Sequence, residues 1–245
     1  MLNIENLTVA YDDTPVFENL SVSFTPGKIT GIIGANGAGK STMLKAALGL
    51  ISSKSGVITY QGKPLKKVRK QIAYVEQRKE LDLSFPINVF EVVLSGCYGR
   101  LGLFKDPKKQ DKKRVWQALE AVGLTNLAKR QIGELSGGQL QRVFVARAIV
   151  QDAQVIILDE PFVGIDLKSE QEIIKILKAW QKENKTIIIV HHDLSKVYDY
   201  FDELVIVKQG ILAKGVVKEV YTKENIAQAF NMDLAQTLFT RKEEQ

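Results

Sequence analysis

Gly34-Ala35-Asn36-Gly37-Ala38-Gly39-Lys40-Ser41-Thr42 is the stretch that decides how this chain is read. It fits the pattern G-x-x-x-x-G-K-[ST]. Before it, Lys28 to Ile33 is apolar and β-branched. After it, Lys40 to Leu50 has helical character, with an end expected near Gly49. A strand, a glycine-rich loop and a helix in that order let successive backbone N–H groups curl round a phosphate, with the positive end of the helix behind them. Lys40 then supplies a point charge to the β- and γ-phosphates of a nucleotide, and Ser41 offers Mg²⁺ a hard oxygen. Chance matches the pattern in roughly one chain in a hundred of this length, so the flanking strand and helix carry the assignment, not the spelling alone.

Two further stretches work outward from that loop. Val155-Ile156-Ile157-Leu158-Asp159-Glu160-Pro161 reads as a buried strand ending in two acids. Such ends face the ligand crevice of a parallel sheet. There Asp159 would hold Mg²⁺, and Glu160 would orient or deprotonate the attacking water, because in-line attack on a phosphate needs a placed nucleophile. Leu135-Ser136-Gly137-Gly138-Gln139 stands before the helical run Leu140 to Val150. With Ser136 as N-cap, two glycines and a helix dipole behind them, it is a second anion site.

The rest of the chain supplies the frame. The first third reads as short strands: Leu2 to Val9, Val16 to Phe24 before Pro26-Gly27, Val57 to Tyr60, and Gln71 to Val75. Ile87 to Leu94, Lys112 to Val122 and Gln139 to Val150 show helical spacing. Strand then alternates with helix (Val155 to Leu158, Lys168 to Gln181, Thr186 to Val190, Leu194 to Tyr200), which implies a parallel sheet flanked by helices. A hairpin at Gln209-Gly210, a short helix over Lys223 to Phe230 and a frayed tail over Arg241 to Gln245 complete the reading.

Charge and composition narrow the classes. The 245 residues are 45% hydrophobic and 25% charged, as in ordinary globular domains. The lone cysteine, Cys97, allows no intrachain disulfide and reads as a small packing residue. No apolar run approaches the length needed to span a bilayer. Much of the net +6 charge sits in Lys63 to Lys70 and Lys105 to Arg114. The second carries no aromatic, and no reading element accompanies either stretch, so nucleic acid is not an expected partner.

The motifs Gly34 to Ser41, Leu135 to Gln139 and Leu158 to Pro161, in this order and with nearly the whole chain around them, resemble those of ABC ATPases. The resemblance implies an α/β fold: a P-loop NTPase core of ABC-ATPase type with an antiparallel β subdomain and an inserted α-helical subdomain. Residues 1–80 and 148–245 would form the core with its β subdomain, and 81–147 the helical insert. It implies ATP and Mg²⁺ as ligands, and a head-to-tail homodimer in which Ser136, Gly137, Gly138 and Gln139 of one copy cap the γ-phosphate held by Gly34 to Thr42 of the other. Tyr11 lies where an aromatic stacks on adenine. Gln77 matches the glutamine that senses Mg²⁺, water and the membrane subunit. His192 matches the histidine on the γ-phosphate, with His191 as its neighbour. Asp166 keeps the position that bridges the two subunits, although Phe162-Val163-Gly164-Ile165 departs from the Ala-Leu spelling of many relatives.

Ser84 to Gly96, Tyr98 to Phe104 and Pro161 to Asp166 resemble the manganese or zinc importer branch of that family. This implies an integral membrane permease as partner, an extracytoplasmic metal-binding protein reached indirectly, and a place on the cytoplasmic face of the cell membrane. Iron or iron-chelate import, and a soluble scaffold such as one for iron–sulfur assembly, remain as alternatives. Phe85, Ile87, Val89, Phe90, Tyr98, Leu101, Leu103 and Phe104 are unusually apolar for a region leading into a charged loop. About half should pack the lobe, leaving the rest as an exposed partner patch.

Overall fold

Runs of Val and Ile form the innermost strands, Ile29–Ile33, Val155–Asp159 and Thr186–Val190, each buried along its whole length, as for strands covered on both faces. The computed structural model describes residues 1–11, 14–77, 83–101, 105–230 and 232–243. In chain order the elements are β1 (Leu2–Tyr11), β2 (Thr14–Phe24), β3 (Ile29–Ile33), α1 (Lys40–Leu48), β4 (Ser55–Tyr60), β5 (Lys63–Pro64), α2 (Leu65–Val68), β6 (Ile72–Val75), α3 (Val89–Ser95), α4 (Tyr98–Leu101), α5 (Lys109–Ala121), α6 (Gly137–Gln151), β7 (Val155–Asp159), α7 (Leu167–Lys182), β8 (Thr186–Val190), α8 (Val197–Tyr200), β9 (Glu203–Val207), β10 (Ile211–Val216), α9 (Val217–Val220), α10 (Lys223–Ala229) and α11 (Met232–Glu243). They fall into two compact units, residues 1–68 with 186–245, and residues 69–185.

In the first unit β2, β1, β4 and β5 make an antiparallel sheet in that order. Its inward residues, among them Leu2, Ile4, Leu7, Phe17, Leu20 and Phe24, are buried. β3 pairs in parallel with β8 on one side and β9 on the other, and β10 runs antiparallel to β9. The loop from β3 into α1 therefore leaves the middle of this strand group.

The second unit pairs β6 and β7 in parallel, with Val75 opposite Leu158. α3, α5 and α6 pack on one another around Val89, Val93, Val115, Leu119, Leu140 and Val143. Gly96 lets the end of α3 approach α6 closely: a Cβ there would lie 2.4 Å from the Arg147 carbonyl. α6 is tied to β6 by Arg147, which donates to the Tyr74 carbonyl at 3.1 Å, and by Gln151, which donates to Ile72 at 2.6 Å.

Two expectations change. Leu194 to Tyr200 is not one helix but a 3-10 turn, Leu194–Lys196, followed by the single turn α8; the Asp193 side chain caps the first turn by accepting the Ser195 N–H, a local bond that competes with regular helix. The C-terminal segment is helical from Met232 through Glu243 rather than a frayed tail from Arg241; Glu244 and Gln245 lie outside the described residues. Cys97 is fully buried, as a packing residue should be. No helix among the described residues is long and apolar enough to cross a membrane.

Candidate active site

In the first unit, crowding dictates the glycines of the loop after β3. A Cβ on Gly34 would stand 2.3 Å from the Val207 carbonyl of β9, and one on Gly39 would stand 2.2 Å from the ring of Phe17. Gly39 also takes φ +92° as the N-cap of α1, a conformation that costs other residues about 1–2 kcal/mol. Lys40 is 6% exposed. Its ammonium donates to the Gly34 and Ala35 carbonyls, each at 2.9 Å, which holds it across the loop mouth. Asn36 and Gly37 are exposed at the tip, Ala38 closes a turn onto Ala35 at 3.1 Å, and Ser41 and Thr42 are half-buried in the first turn of α1. No acid occupies that turn to compete with a phosphate.

Tyr11 ends β1 and is 53% exposed, as a base-stacking residue must be. The two histidines after β8 separate cleanly. His191 is 2% exposed, its backbone N–H donating to the Ile32 carbonyl at 3.0 Å and its ring meeting Phe201 edge-on at 5.4 Å. His192 is exposed, so it is the one of the pair able to reach a ligand.

In the second unit, strand register explains a pairing that lies 83 residues apart in sequence. Val75 stands opposite Leu158, so two residues further on Gln77 faces Glu160, and the Gln77 amide donates to the Glu160 carboxylate. Glu160 has φ +50°, although it precedes Pro161, which biases a residue towards extended backbone. A left-handed backbone at a non-glycine residue is strained. Beside it, Asp159 is 2% exposed and accepts from the Tyr74 hydroxyl at 3.3 Å.

Ser136 caps α6 in a reciprocal box: its hydroxyl accepts the Gln139 N–H at 3.3 Å, and its own N–H donates to the Gln139 side chain at 3.0 Å. Leu135 is buried beneath, Gly137 is half-buried and Gly138 buried. A Cβ on Gly138 would lie 2.4 Å from the Ser169 hydroxyl and 2.9 Å from an Asp166 oxygen. Asp166 is the N-cap of α7, accepting the Ser169 N–H at 2.9 Å and its hydroxyl at 2.8 Å. Those two bonds hold its carboxyl below the usual carboxylate range. Gly164, the departure in this turn, takes φ +68° in open space, so the altered spelling still makes a tight turn.

The structure thus joins Lys40 to the Gly34 end of its loop, Gln77 to Glu160, and Gly138 to Asp166. Tyr11 and His192 belong to the first unit; Asp159, Ser136, Gly137 and Gln139 belong to the second. Sequence reasoning missed Phe17, Tyr74 and Ser169. Ser169 had a local signal, since it stands three residues after Asp166 as a helix-capping partner does. Tyr74 and Phe17 had none, because both depend on long-range pairing.

Comparison with known proteins identifies the family and the fold. Residues 17–163 match the ABC transporter family. The manganese transport system ATP-binding protein MntB of Listeria innocua is 50% identical over 94% of this chain and 95% of its own. The zinc transport system ATP-binding protein TroB of Treponema pallidum is 45% identical over 98% and 90%. Among solved structures, CbiO1 of Clostridium perfringens, part of the ABC transporter complex CbiONQ, superposes with a TM-score of 0.76 at 31% identity, covering 98% of both chains. A dimeric ATP-binding cassette bound to ADP and Pi gives 0.77 at 26% identity, over 89% of this chain and 99% of that one. The fold is that of the ABC ATPase cassettes expected from the three motifs, and the chain belongs to the ABC transporter family.

Proposed function

We propose that this ATPase powers the import of manganese or zinc through a membrane permease. The observation that carries the chemistry is Glu160, held by Gln77 at a strand end in a strained backbone. The names of the relatives at 50% and 45% identity supply the cargo.

Tyr11 stacks on adenine, and Gly34, Asn36, Gly37, Ala38, Gly39 and Thr42 line the phosphates. Lys40 balances charge on the β- and γ-phosphates. Ser41, Gln77 and Asp159 bring hydroxyl, amide and carboxylate oxygens, the hard donor set that suits Mg²⁺. Bound there, that ion would neutralise phosphate charge. Glu160 orients the attacking water and accepts its proton, Gln77 keeps that carboxylate in place, and His192 contacts the γ-phosphate. Ser136 to Gln139 of a second copy complete the site, with Asp166 bridging the copies.

In this reading residues 1–80 and 148–245 form the catalytic core, and 81–147 form the helical lobe that meets the permease on the cytoplasmic face of the membrane. Of the apolar stretch there, Phe85 is 64% and Tyr98 51% exposed, while Val89 is buried. Ile87, Phe90 and Leu101 are half-buried, and Leu103 and Phe104 lie outside the described residues. The exposed aromatics suit a docking helix. The extracytoplasmic metal-binding protein would act on the permease alone.

The test is Glu160→Gln. The substitution keeps shape and removes the base, so ATP binding should persist, turnover should fall by about 10²–10⁴-fold, and size exclusion with ATP should show a trapped dimer. Cells depending on this variant should lose manganese or zinc uptake. A monomer hydrolysing at the wild-type rate refutes the assignment.

A further inference from the structure

Tyr221 is 4% exposed, and no step above uses it. Its phenol donates to the Leu194 carbonyl at 2.8 Å, a buried bond spanning 27 residues. Leu194 lies two residues beyond His192. Burial, then the neighbouring Tyr198 and Asp193, push the phenol pKa upward, so the proton stays on oxygen and the group donates throughout the working range. Tyr198 meets the Tyr221 ring edge-on at 5.3 Å, and Phe239 of α11 packs on it at 5.4 Å.

The segment carrying His192 is pinned on both sides. Upstream, the His191 backbone N–H is bound to the Ile32 carbonyl and its ring is wedged against Phe201. Downstream, Asp193 accepts the Ser195 N–H at 3.0 Å and its hydroxyl at 2.6 Å. Those downstream bonds are local, whereas the phenol bond ties this turn to the C-terminal part of the chain. A side chain that must meet a γ-phosphate depends on its backbone being held before the ligand arrives, since small misplacements cost large factors in rate.

We propose that Tyr221 is a positioning residue: through the Leu194 carbonyl it fixes the turn that presents His192, and α11, through Phe239, sets how firmly it does so. The C-terminal helix then tunes turnover without touching ATP. The inference rests on His192 acting at the γ-phosphate.

Steady-state ATPase of the full chain tests it, with thermal melts alongside. His192→Ala comes first: if it leaves the rate unchanged, the reading of His192 fails whatever Tyr221 does. Given a loss there, Tyr221→Phe, which keeps the ring contacts and removes only the hydroxyl, should lower kcat by roughly three- to tenfold with KM for ATP unchanged. In the His192→Ala background the same change should do nothing more, the non-additivity of groups that act as one. Phe239→Leu should show the same background dependence with a smaller drop. It also takes over the comparison should Tyr221→Phe not fold at the assay temperature. Wild-type kcat, or equal losses in both backgrounds, overturns the proposal.

Discussion

The helix behind the glycine loop and the helix behind Ser136 are both offered to phosphate in the proposed reaction, yet they are finished differently. α1 starts at a left-handed glycine, with no side chain to cap it and no acid in its first turn. α6 starts at a serine locked with Gln139 in a reciprocal capping box. Helix N-terminal N–H groups need partners. No side chain caps the first helix, whose end the proposed reaction gives to the nucleotide, whereas the second satisfies part of its own. In the proposed reaction α1 holds ATP within one copy. α6, with its capping box already made, would meet phosphate late, through two glycines and a serine hydroxyl. Binding and turnover should therefore divide between the two regions.

The largest effect falls on the α1 side. Lys40→Ala removes charge-assisted contacts, and nucleotide affinity of the isolated chain should drop by about ten- to hundredfold, measured by calorimetric titration with ATP and ADP. The counterpart is Gly138→Ala. Its Cβ forces Ser169 and Asp166 to move, so turnover should fall by about tenfold while monomer affinity for ATP stays put. If Gly138→Ala weakens monomer binding as Lys40→Ala does, the division is broken.

The difference between the two ends was visible in sequence because each is spelled locally: glycines and Lys40 in one, Ser136 and Gln139 at cap spacing in the other. The buried strands were equally open to reading, since Val155 to Leu158 and Thr186 to Val190 are apolar throughout. What escaped depended on distance or on weighting. The Gln77–Glu160 contact requires the β6–β7 register, which no local pattern states. Tyr74 and Phe17 matter only because strands remote in sequence bring them under Asp159 and Gly39. α11 did carry a signal, with Leu234, Ala235, Leu238 and Phe239 at helical spacing, but the charged residues at its end outweighed it. Glu160 shows the opposite lesson: the following proline argues against its left-handed backbone, so here the local rule misstates the conformation of a residue whose proposed role rests on its acid and its place at a strand end.

The smallest effect is the sharpest, because it should move stability and function in opposite directions. Gln139→Glu keeps an oxygen to accept the Ser136 N–H, so the capping box survives. A carboxylate in the first turn of α6 also complements the helix dipole, which is worth about 0.3–1 kcal/mol at an accessible helix end. The isolated chain should therefore melt higher, by about 1–3 °C for a domain of this size. In the proposed dimer the same carboxylate faces the γ-phosphate of the other copy, and like charges brought together disfavour each other. ATP-driven dimerisation should weaken, most at low ionic strength where screening is least, and turnover should fall with it. ATP affinity of the monomer should not change, because in the proposed site the nucleotide sits on α1 of the same copy. Sedimentation with and without ATP at two salt concentrations, run on a Glu160→Gln background that holds ATP unhydrolysed, measures the effect directly. A Gln139→Glu chain that dimerises as well as its parent at low salt would show that α6 does not meet phosphate, and the contrast between the two helix ends would reduce to folding alone.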